Sequence, residues 1–170
     1  PTGYGNPPYA ARSAMAGNPL LISLDVLAKE GLLAVDDLVR GQGLPSDYID
    51  YESVAAFKLP LLQEAYRHFK GDAGQKERVE FDFFCRSHSF WLDDYALFMA
   101  LRDAHDGVEW LRWDRKVAMR RPEVLDRWRD HLADQIRFHQ FVQFQFFRQW
   151  GVLKRYANER GIRIIGDIPI

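Results

Sequence analysis

The feature of this sequence that most constrains its fold is a long helical pattern that begins at Pro122 and runs to about Arg160. Proline suits the first turn of a helix, and apolar residues then recur at helical spacing. One stripe holds Trp128, Leu132, Ile136 and His139, a continuation holds Phe138, Val142, Phe146, Trp150 and Leu153, and a second stripe holds Phe141, Phe144 and Phe147. A helix that is apolar on most of its circumference must be buried on several sides. We expect a break between about Leu132 and Phe138, because so long a helix is uncommon.

The rest of the chain offers few partners for this apolar surface. We therefore expect rings such as Phe141, Phe144 and Phe147 to be exposed in this chain alone, a patch that soluble monomers rarely tolerate. The chain begins at Pro1 and stops in an apolar stretch, whereas natural termini are usually polar. Both ends are therefore interpreted as cuts inside a longer protein.

After the long helix, Gly161 predicts its end, and residues 162–165 form a short β-branched run typical of a strand. Gly166 and Asp167 follow this run. A helix, a short buried strand and then an acidic residue are the αβ step of a parallel α/β fold, in which functional residues lie at the carboxyl ends of the strands. By position alone, Asp167 is as well explained as a turn former as by a role in a site.

The first part of the chain is predicted as a loop followed by short helices. Glycine and proline interrupt residues 1–19 too often for a regular element, and this loop carries Tyr4 and Tyr9. Both rings could stack on sugar or anchor the loop, and the pattern does not decide between these. Helices are predicted over residues 26–30 with Asp25 as the cap, 32–39, 51–70 with a kink or break at Pro60, 79–86 and 90–104 with Ser89 as the cap, and loops over 41–46 and 71–77.

Composition excludes several classes of function. The net charge is −1 and the basic residues are scattered, so the footprint of a nucleic-acid-binding protein is missing. No apolar run is long enough to span a bilayer, no signal peptide is visible, and one cysteine allows no internal disulfide. We expect a cytoplasmic protein that needs neither nucleic acid nor membrane. The sequence does not fix the oligomeric state, and a monomer is the working expectation.

The remaining candidates for chemistry favour structural roles. Cys85 has no activating neighbour and is interpreted as a small buried hydrophobe. His131 and His139 lack the spacing of a carboxylate-bridged metal site and are interpreted as buried or paired histidines. Asp93 and Asp94 point about 100° apart on a helix, so they are assigned to its first turn as dipole partners. We expect no metal and no cofactor.

Three segments together resemble the amylomaltases, also called disproportionating enzymes, which are 4-α-glucanotransferases. The first comprises residues 1–9 (PTGYGNPPY) and 16–22 (AGNPLLI), and the second is 90–101 (FWLDDYALFMAL). The third runs from 146–150 (FFRQW) through 156–161 (YANERG) to 166–170 (GDIPI). The similarity spans the whole chain in the order of the family, and the third segment is very specific.

This resemblance implies an α/β fold, an early fragment of a (β/α)8 barrel with a large, mostly helical insertion beside the active-site cleft. Residues 1–19 would be a substrate loop at the barrel edge, 20–132 the helical insertion, and 133–170 a barrel helix and strand. It also implies transfer of α-1,4-glucan segments between maltooligosaccharides by a retaining double displacement, with two carboxylates about 5 Å apart. In the family these carboxylates lie beyond the last residue of this chain, so no catalytic residue is assigned and the chain alone is expected to be inactive.

Substrate contacts are what the resemblance carries onto this sequence. Tyr4 and Tyr9 match tyrosines of a loop that lines the glucan site, and Asp167 matches an acidic residue at a strand end. Tyr51 is similar to a tyrosine of a second glucan-binding groove. The family usually has serine where Pro7 stands and glutamine where Ala10 stands, so one polar contact is in doubt, because Pro7 lacks a hydroxyl and an N–H donor.

Two other interpretations stay open at this point. The first is an α-glucan hydrolase of the same clan, in which water replaces the acceptor sugar. The second is a non-catalytic helical interaction module. The products formed from maltotriose would separate these possibilities.

Overall fold

The computed structural model of this protein describes residues 11–45 and 47–166, and for residues 40–42 it describes the backbone alone. Within this part of the chain the regular structure is helical. The α-helices are α1 (Leu24–Lys29), α2 (Tyr51–Asp72), α3 (Gln75–Ser87), α4 (Ser89–Ala104), α5 (Arg115–Ala118), α6 (Pro122–His131) and α7 (Ala133–Glu159), and short 3₁₀-helices cover Pro19–Leu21, Val35–Gly43 and Trp110–Arg112. No described helix has the length and hydropathy needed to cross a membrane.

The chain divides into two compact units. One unit contains the residues up to Glu80 together with those from Val142 onward, and the other is Phe81–Phe141. Helices α3 and α7 contribute residues to both units. The resemblance predicted a different division, into residues 1–19, 20–132 and 133–170 of a barrel protein. That division stays a prediction.

In the first unit, α1 and α2 bury Leu27 and Leu62 completely, and the Phe69 ring lies 6.4 Å from that of Phe144. The cap of α1 is Ser23, whose hydroxyl accepts the N–H of Val26, so the cap predicted at Asp25 was wrong. Asp25 lies inside the first turn instead, where its charge favours the helix dipole.

Helix α2 runs through Pro60 without a break, so of the two predicted alternatives the break is excluded and the kink stays a prediction. Proline removes one backbone hydrogen bond and crowds the preceding turn. Pro60 is exposed, while the next turns bury Leu62, Ala65 and Tyr66. The packing of that face maintains the helix on both sides of the proline.

The loop predicted over residues 71–77 is much shorter, because α2 ends at Asp72 and α3 begins at Gln75. Arg78 explains the tight junction. Its Nη2 donates to the Lys70 carbonyl at 2.9 Å, and its Nε donates to the Ala73 carbonyl at 2.9 Å. The guanidinium thereby satisfies carbonyl groups that the end of α2 leaves unpaired.

The core of the second unit lies between α4, α5 and α6. Its buried residues are Leu97, Ala100, Leu101, Trp113, Val117, Val124, Leu125 and Leu132. Helix α4 begins at Ser89, and His88 precedes it without a side-chain capping bond, so the cap predicted at Ser89 was wrong. Asp93 and Asp94 therefore lie beyond the first turn, contrary to prediction.

The long helical pattern is confirmed, and so is its break, which the structure places at Leu132 between α6 and α7. Leu132 is buried in the core of the second unit. The prediction of exposed rings was wrong for Phe141 and Phe144, which are both buried. The Phe141 ring meets the edge of Phe81, and the Phe144 ring packs near Phe69, so helices α2 and α3 supply the partners that the sequence did not reveal.

The strand predicted over residues 162–165 is not formed. Gly161 adopts a φ of 71°, and the N–H of Ile162 donates to the Ala157 carbonyl at 3.0 Å, which closes α7 as predicted. The following residues are irregular, and Ile165 is 93% exposed. A strand needs a neighbour for its N–H and C=O groups, and the described residues, 11–45 and 47–166, contain no strand to supply one.

Candidate functional site

Three of the four residues assigned to substrate by resemblance, Tyr4, Tyr9 and Asp167, lie outside the described residues. The fourth, Tyr51, is the first residue of α2 and is 43% exposed. The structure therefore describes the supports of the candidate site, namely the start of α2 and the chain segment that follows Tyr9.

Tyr51 stands on a well-capped helix end. The Asp50 carboxylate accepts the backbone N–H groups of Glu52 and Ser53 at 3.1 and 3.3 Å, and it also accepts the Ser53 hydroxyl at 2.5 Å. The hydroxyl bond and then the backbone bonds lower the pKa of Asp50 from its ordinary value. The ionised cap holds the backbone of Tyr51 in place and leaves its ring accessible to a ligand.

The segment before α1 is held against α7 by the amide of Gln143. Its Oε1 accepts the N–H of Gly17 at 2.8 Å, and its Nε2 donates to the carbonyl of the same residue at 3.1 Å. Gln143 and Gly17 are both buried. The glutamine side chain thus pairs with one residue of the segment as a neighbouring strand would, and it satisfies both backbone polar groups of the buried Gly17.

A second glutamine, six residues or about 1.7 turns further along the helix, repeats this arrangement. The Oε1 of Gln149 accepts the N–H of Ser23 at 2.7 Å, and its Nε2 donates to the Ser23 carbonyl at 3.1 Å. Both pairs are six residues apart, Gln143 to Gln149 on the helix and Gly17 to Ser23 on the segment. The loop predicted to carry Tyr4 and Tyr9 is therefore continuous with a segment that is fixed at two points.

Glycine is required at position 17 by the close approach of a ring. A Cβ atom there would lie 2.0 Å from Cδ1 of Phe146, well inside contact distance. A third tether comes from α2, where Nζ of Lys58 donates to the Leu20 carbonyl at 2.6 Å. Burial lowers the pKa of this lysine.

A third glutamine, Gln145, is buried on the same helix. Its Oε1 accepts from Nη1 of Arg148 at 3.2 Å, and the same guanidinium contacts the carboxylate of Glu30 at 3.0 Å. Its Nε2 is buried and has no hydrogen-bond partner in the described part of the chain. A buried donor of this kind costs about 1–3 kcal/mol when it stays unpaired.

The other sequence candidates have structural partners. Cys85 is buried, and burial raises the pKa of its thiol to about 11, so the interpretation as a buried hydrophobe is confirmed. His139 is buried and its Nε2 lies 2.8 Å from Oδ2 of Asp103, a paired histidine as predicted. Asp93 accepts from Nε2 of Gln140. The described residues contain no group of three or more His, Cys, Asp or Glu that could hold a metal ion.

The second unit contains a cavity that sequence reasoning missed. It has a volume of about 270 Å³, and Asp94, Trp110 and Arg120 line it together with apolar residues of α4, α5 and α6. The sequence singled out Asp94 only for its charge and placed Trp110 in an irregular connection. No spacing rule links the three residues, because they belong to α4, a 3₁₀-helix and the turn after α5.

Comparisons of this chain with a family model and with known proteins agree with one another. Residues 1–170 match the family model described as 4-alpha-glucanotransferase. The chain is 46% identical over 170 residues to a 4-alpha-glucanotransferase of Synechocystis sp. and 47% identical over 170 residues to that of Thermus thermophilus. These alignments cover 100% of the chain but only 34% and 33% of the relatives. The chain thus spans about a third of the length of the curated relatives it matches.

A solved structure gives the same picture. The amylomaltase from Streptococcus agalactiae in complex with acarbose matches with a TM-score of 0.90 and 34% sequence identity. This match covers 99% of the present chain and 34% of the other.

Proposed function

This chain belongs to the 4-alpha-glucanotransferase family, and from that premise we propose that the whole protein transfers α-1,4-glucan segments between maltooligosaccharides. The observation that carries the proposal is the family match over residues 1–170, with relatives 46% and 47% identical along all of that length. Because the chain spans about a third of those relatives, activity and substrate are proposed for the whole protein rather than for this segment.

The proposed chemistry is a retaining double displacement. One carboxylate attacks the anomeric carbon of the donor while a second protonates the departing glycosidic oxygen, and the two stand about 5 Å apart. The second carboxylate then removes a proton from the acceptor hydroxyl, which attacks the glycosyl-enzyme intermediate. A glucan hydroxyl thereby replaces water, which the site must disfavour. We propose that residues outside this chain supply these carboxylates.

The proposed role of this chain is to hold substrate. Tyr4 and Tyr9 would offer ring faces and hydroxyl groups to the glucan, Asp167 a carboxylate, and Tyr51 a ring in a second groove. Two observations support this role. The segment that follows Tyr9 is anchored by paired amide bonds at Gly17, and Tyr51 stands exposed on a capped helix end.

The (β/α)8 barrel is also a proposal for the whole protein. In it, residues 162–165 would gain the neighbouring strands that their backbone needs, and the exposed isoleucines there would become buried. The solved amylomaltase that matches with a TM-score of 0.90 supports the view that this chain corresponds to one part of a longer fold, because the match covers 99% of the chain and 34% of that structure. We propose the cytoplasm as the location and α-glucans as the partners.

Incubation of the complete protein with maltotriose, followed by chromatography, tests the proposed function. A transferase releases glucose and builds longer oligosaccharides from the remainder. Glucose and maltose without any longer product would identify a hydrolase and contradict the proposal. Unchanged maltotriose would favour a non-catalytic module.

A further inference from the structure

The turn after α5 places an arginine where glycine is usual. Arg120 has a φ of 54°, in the left-handed region. Its N–H donates to the Val117 carbonyl at 2.9 Å, and the N–H of Arg121 donates to the Lys116 carbonyl at 3.0 Å, which is the glycine-type ending of a helix. A side chain in this conformation costs about 1 kcal/mol relative to glycine.

The ion pair that Arg120 makes contributes too little stability to explain why arginine stands at this position instead of glycine. The Nη2 of Arg120 lies 2.8 Å from both carboxylate oxygens of Asp94. The two side chains are 62% and 59% exposed, and exposed pairs contribute only about 0–1 kcal/mol. Because backbone strain is common at functional sites, Arg120 is a candidate for binding.

Asp94 and Arg120 border the cavity of about 270 Å³ in the second unit, which we name the Trp110 pocket. Its apolar lining includes Leu97, Leu125 and the buried ring of Trp113, and the Trp110 ring is 49% exposed. Its volume is close to the lower end of small-molecule sites, about 300–1,000 Å³. A pocket of this size accepts one or two sugar rings rather than a folded partner.

The chemistry of the pocket fits a neutral polyol. An indole ring offers an apolar face to the C–H groups of a pyranose. The carboxylate can accept from one sugar hydroxyl while the guanidinium beside it donates to a neighbouring hydroxyl, and charge-assisted bonds of this kind are strong. The carboxylate of Asp94 balances the charge of Arg120, so the pair does not favour an anion such as phosphate over an uncharged sugar.

We infer that the Trp110 pocket is a subsite for a segment of a long α-1,4-glucan. This inference rests on the proposed function, which supplies the class of ligand. None of its residues is among Tyr4, Tyr9, Tyr51 and Asp167, to which substrate contact is proposed above. The pocket retains a polymer on the protein, and a trisaccharide gains little from it.

The test uses the complete protein with Trp110→Ala and Arg120→Gly. Glycine is favoured at position 120, so the second variant removes the guanidinium without harming the turn. Leu111→Ala is the control for the first, because Leu111 is an exposed neighbour that does not line the pocket. Asp106→Gly is the control for the second, because Asp106 also has a positive φ, 53°, and lies outside the pocket.

Affinity for amylose is measured by retardation in native gels, with dextran as the reference polymer. We expect Trp110→Ala and Arg120→Gly to weaken amylose binding about three- to tenfold, as the loss of one ring stack or one charged contact predicts. Both controls should bind amylose as the wild type does. Rates of maltotriose disproportionation should stay within about twofold in all four variants, since a trisaccharide does not need the pocket.

Unchanged amylose affinity in both variants would overturn the inference, as would a wild-type protein that amylose does not retard. An equal loss in the controls would also overturn it. A fall in melting temperature for Trp110→Ala with amylose affinity intact would likewise overturn it, because the Trp110 ring would then contribute to stability and not to glucan binding. A wild type that binds amylose but does not disproportionate maltotriose would contradict the proposed function alone. The amylose affinities of the variants would still test whether the pocket binds glucan.

Discussion

At the scale of single residues, Gln143 fixes the backbone of the segment that leads into the candidate site. Its one amide satisfies both backbone groups of Gly17, and no other side chain could do this with the same reach, because the pairing needs a donor and an acceptor side by side. The backbone of the segment that follows Tyr9 thus depends on a single side chain of α7.

Replacing Gln143 with leucine should destabilise the protein by about 2–5 kcal/mol, because the N–H and C=O of Gly17 would each stay buried without a partner. We also expect slower glucan transfer, since the loop with Tyr9 would lose its anchor. Denaturant unfolding and maltotriose kinetics of the complete protein measure the two effects. Gln135→Leu, at an exposed position of the same helix, is the control and should change the unfolding free energy by less than about 0.5 kcal/mol. Equal free energies of unfolding for the two variants would show that the paired hydrogen bonds do not contribute to stability.

The reaction of the Cys85 thiol with an alkylating agent should depend on pH. Burial raises the pKa of its thiol to about 11, so at pH 8 only about 0.1% is thiolate. The native protein should react with iodoacetamide at pH 8 at least about 100-fold more slowly than free cysteine, and the rate should rise as the pH approaches 11. Mass spectrometry of the native and the urea-unfolded protein measures both rates. A native rate equal to the unfolded one would contradict the burial of this thiol.

At the scale of elements, Pro60 interrupts the hydrogen bonding of a helix that continues on both sides of it. Pro60→Ala should raise the free energy of unfolding by about 1–3 kcal/mol, because alanine restores the backbone donor and relieves the crowded turn. Leu59→Ala, at the exposed neighbouring position, should change it little. Thermal melts of the two variants give the comparison, and a lower melting temperature for Pro60→Ala would mean that the helix is bent around the proline in a way alanine cannot follow.

The elements also show what the sequence could predict. The break near Leu132 and the helix end at Gly161 follow from local rules, and both were predicted. The pairing of Arg78 with the end of α2 could not be predicted, because a guanidinium among polar residues resembles any loop residue. The same holds for Gln143, whose partner lies 126 residues away. The β-branched run after Gly161 has strand propensity, but its state depends on neighbours that the described residues do not provide.

For the candidate site the sequence was informative in a different way. Tyr4, Tyr9, Tyr51 and Asp167 were assigned by resemblance, and no composition or spacing rule would have selected Tyr51. The Trp110 pocket was missed because its lining comes from separate elements brought together by the core around Leu97 and Leu125. Sites of this kind become visible only when side chains are placed in space.

At the scale of the whole molecule, apolar surface remains exposed at the end of the described chain. The exposed residues are Trp150, Val152, Leu153, Tyr156, Ile162, Ile164 and Ile165. Phe141 and Phe144, which were predicted to contribute to such a patch, are buried and do not. Large apolar side chains exposed in such number over a short stretch are typical of a surface that is covered in the functional protein.

We therefore predict that a polypeptide of residues 1–170 binds a hydrophobic dye and does not disproportionate maltotriose. Retaining transfer needs a fixed pair of carboxylates, and Asp93 and Asp94 have separate partners in Gln140 and Arg120. Dye fluorescence, light scattering and chromatography of the sugars measure these properties. A monodisperse polypeptide that releases glucose from maltotriose would mean that the catalytic carboxylates lie within this chain.

The two glutamine anchors set a limit on insertions and deletions. Six residues of helix between Gln143 and Gln149 advance about 9 Å, whereas six extended residues between Gly17 and Ser23 could reach about 20 Å. The Pro19–Leu21 turn, capped by the side chain of Asn18, shortens the segment to match. A residue added or removed between the anchors would put one amide out of register with its peptide. Insertions and deletions should therefore be tolerated in the loop before residue 17, whereas within residues 17–23 they should break one of the two amide pairings.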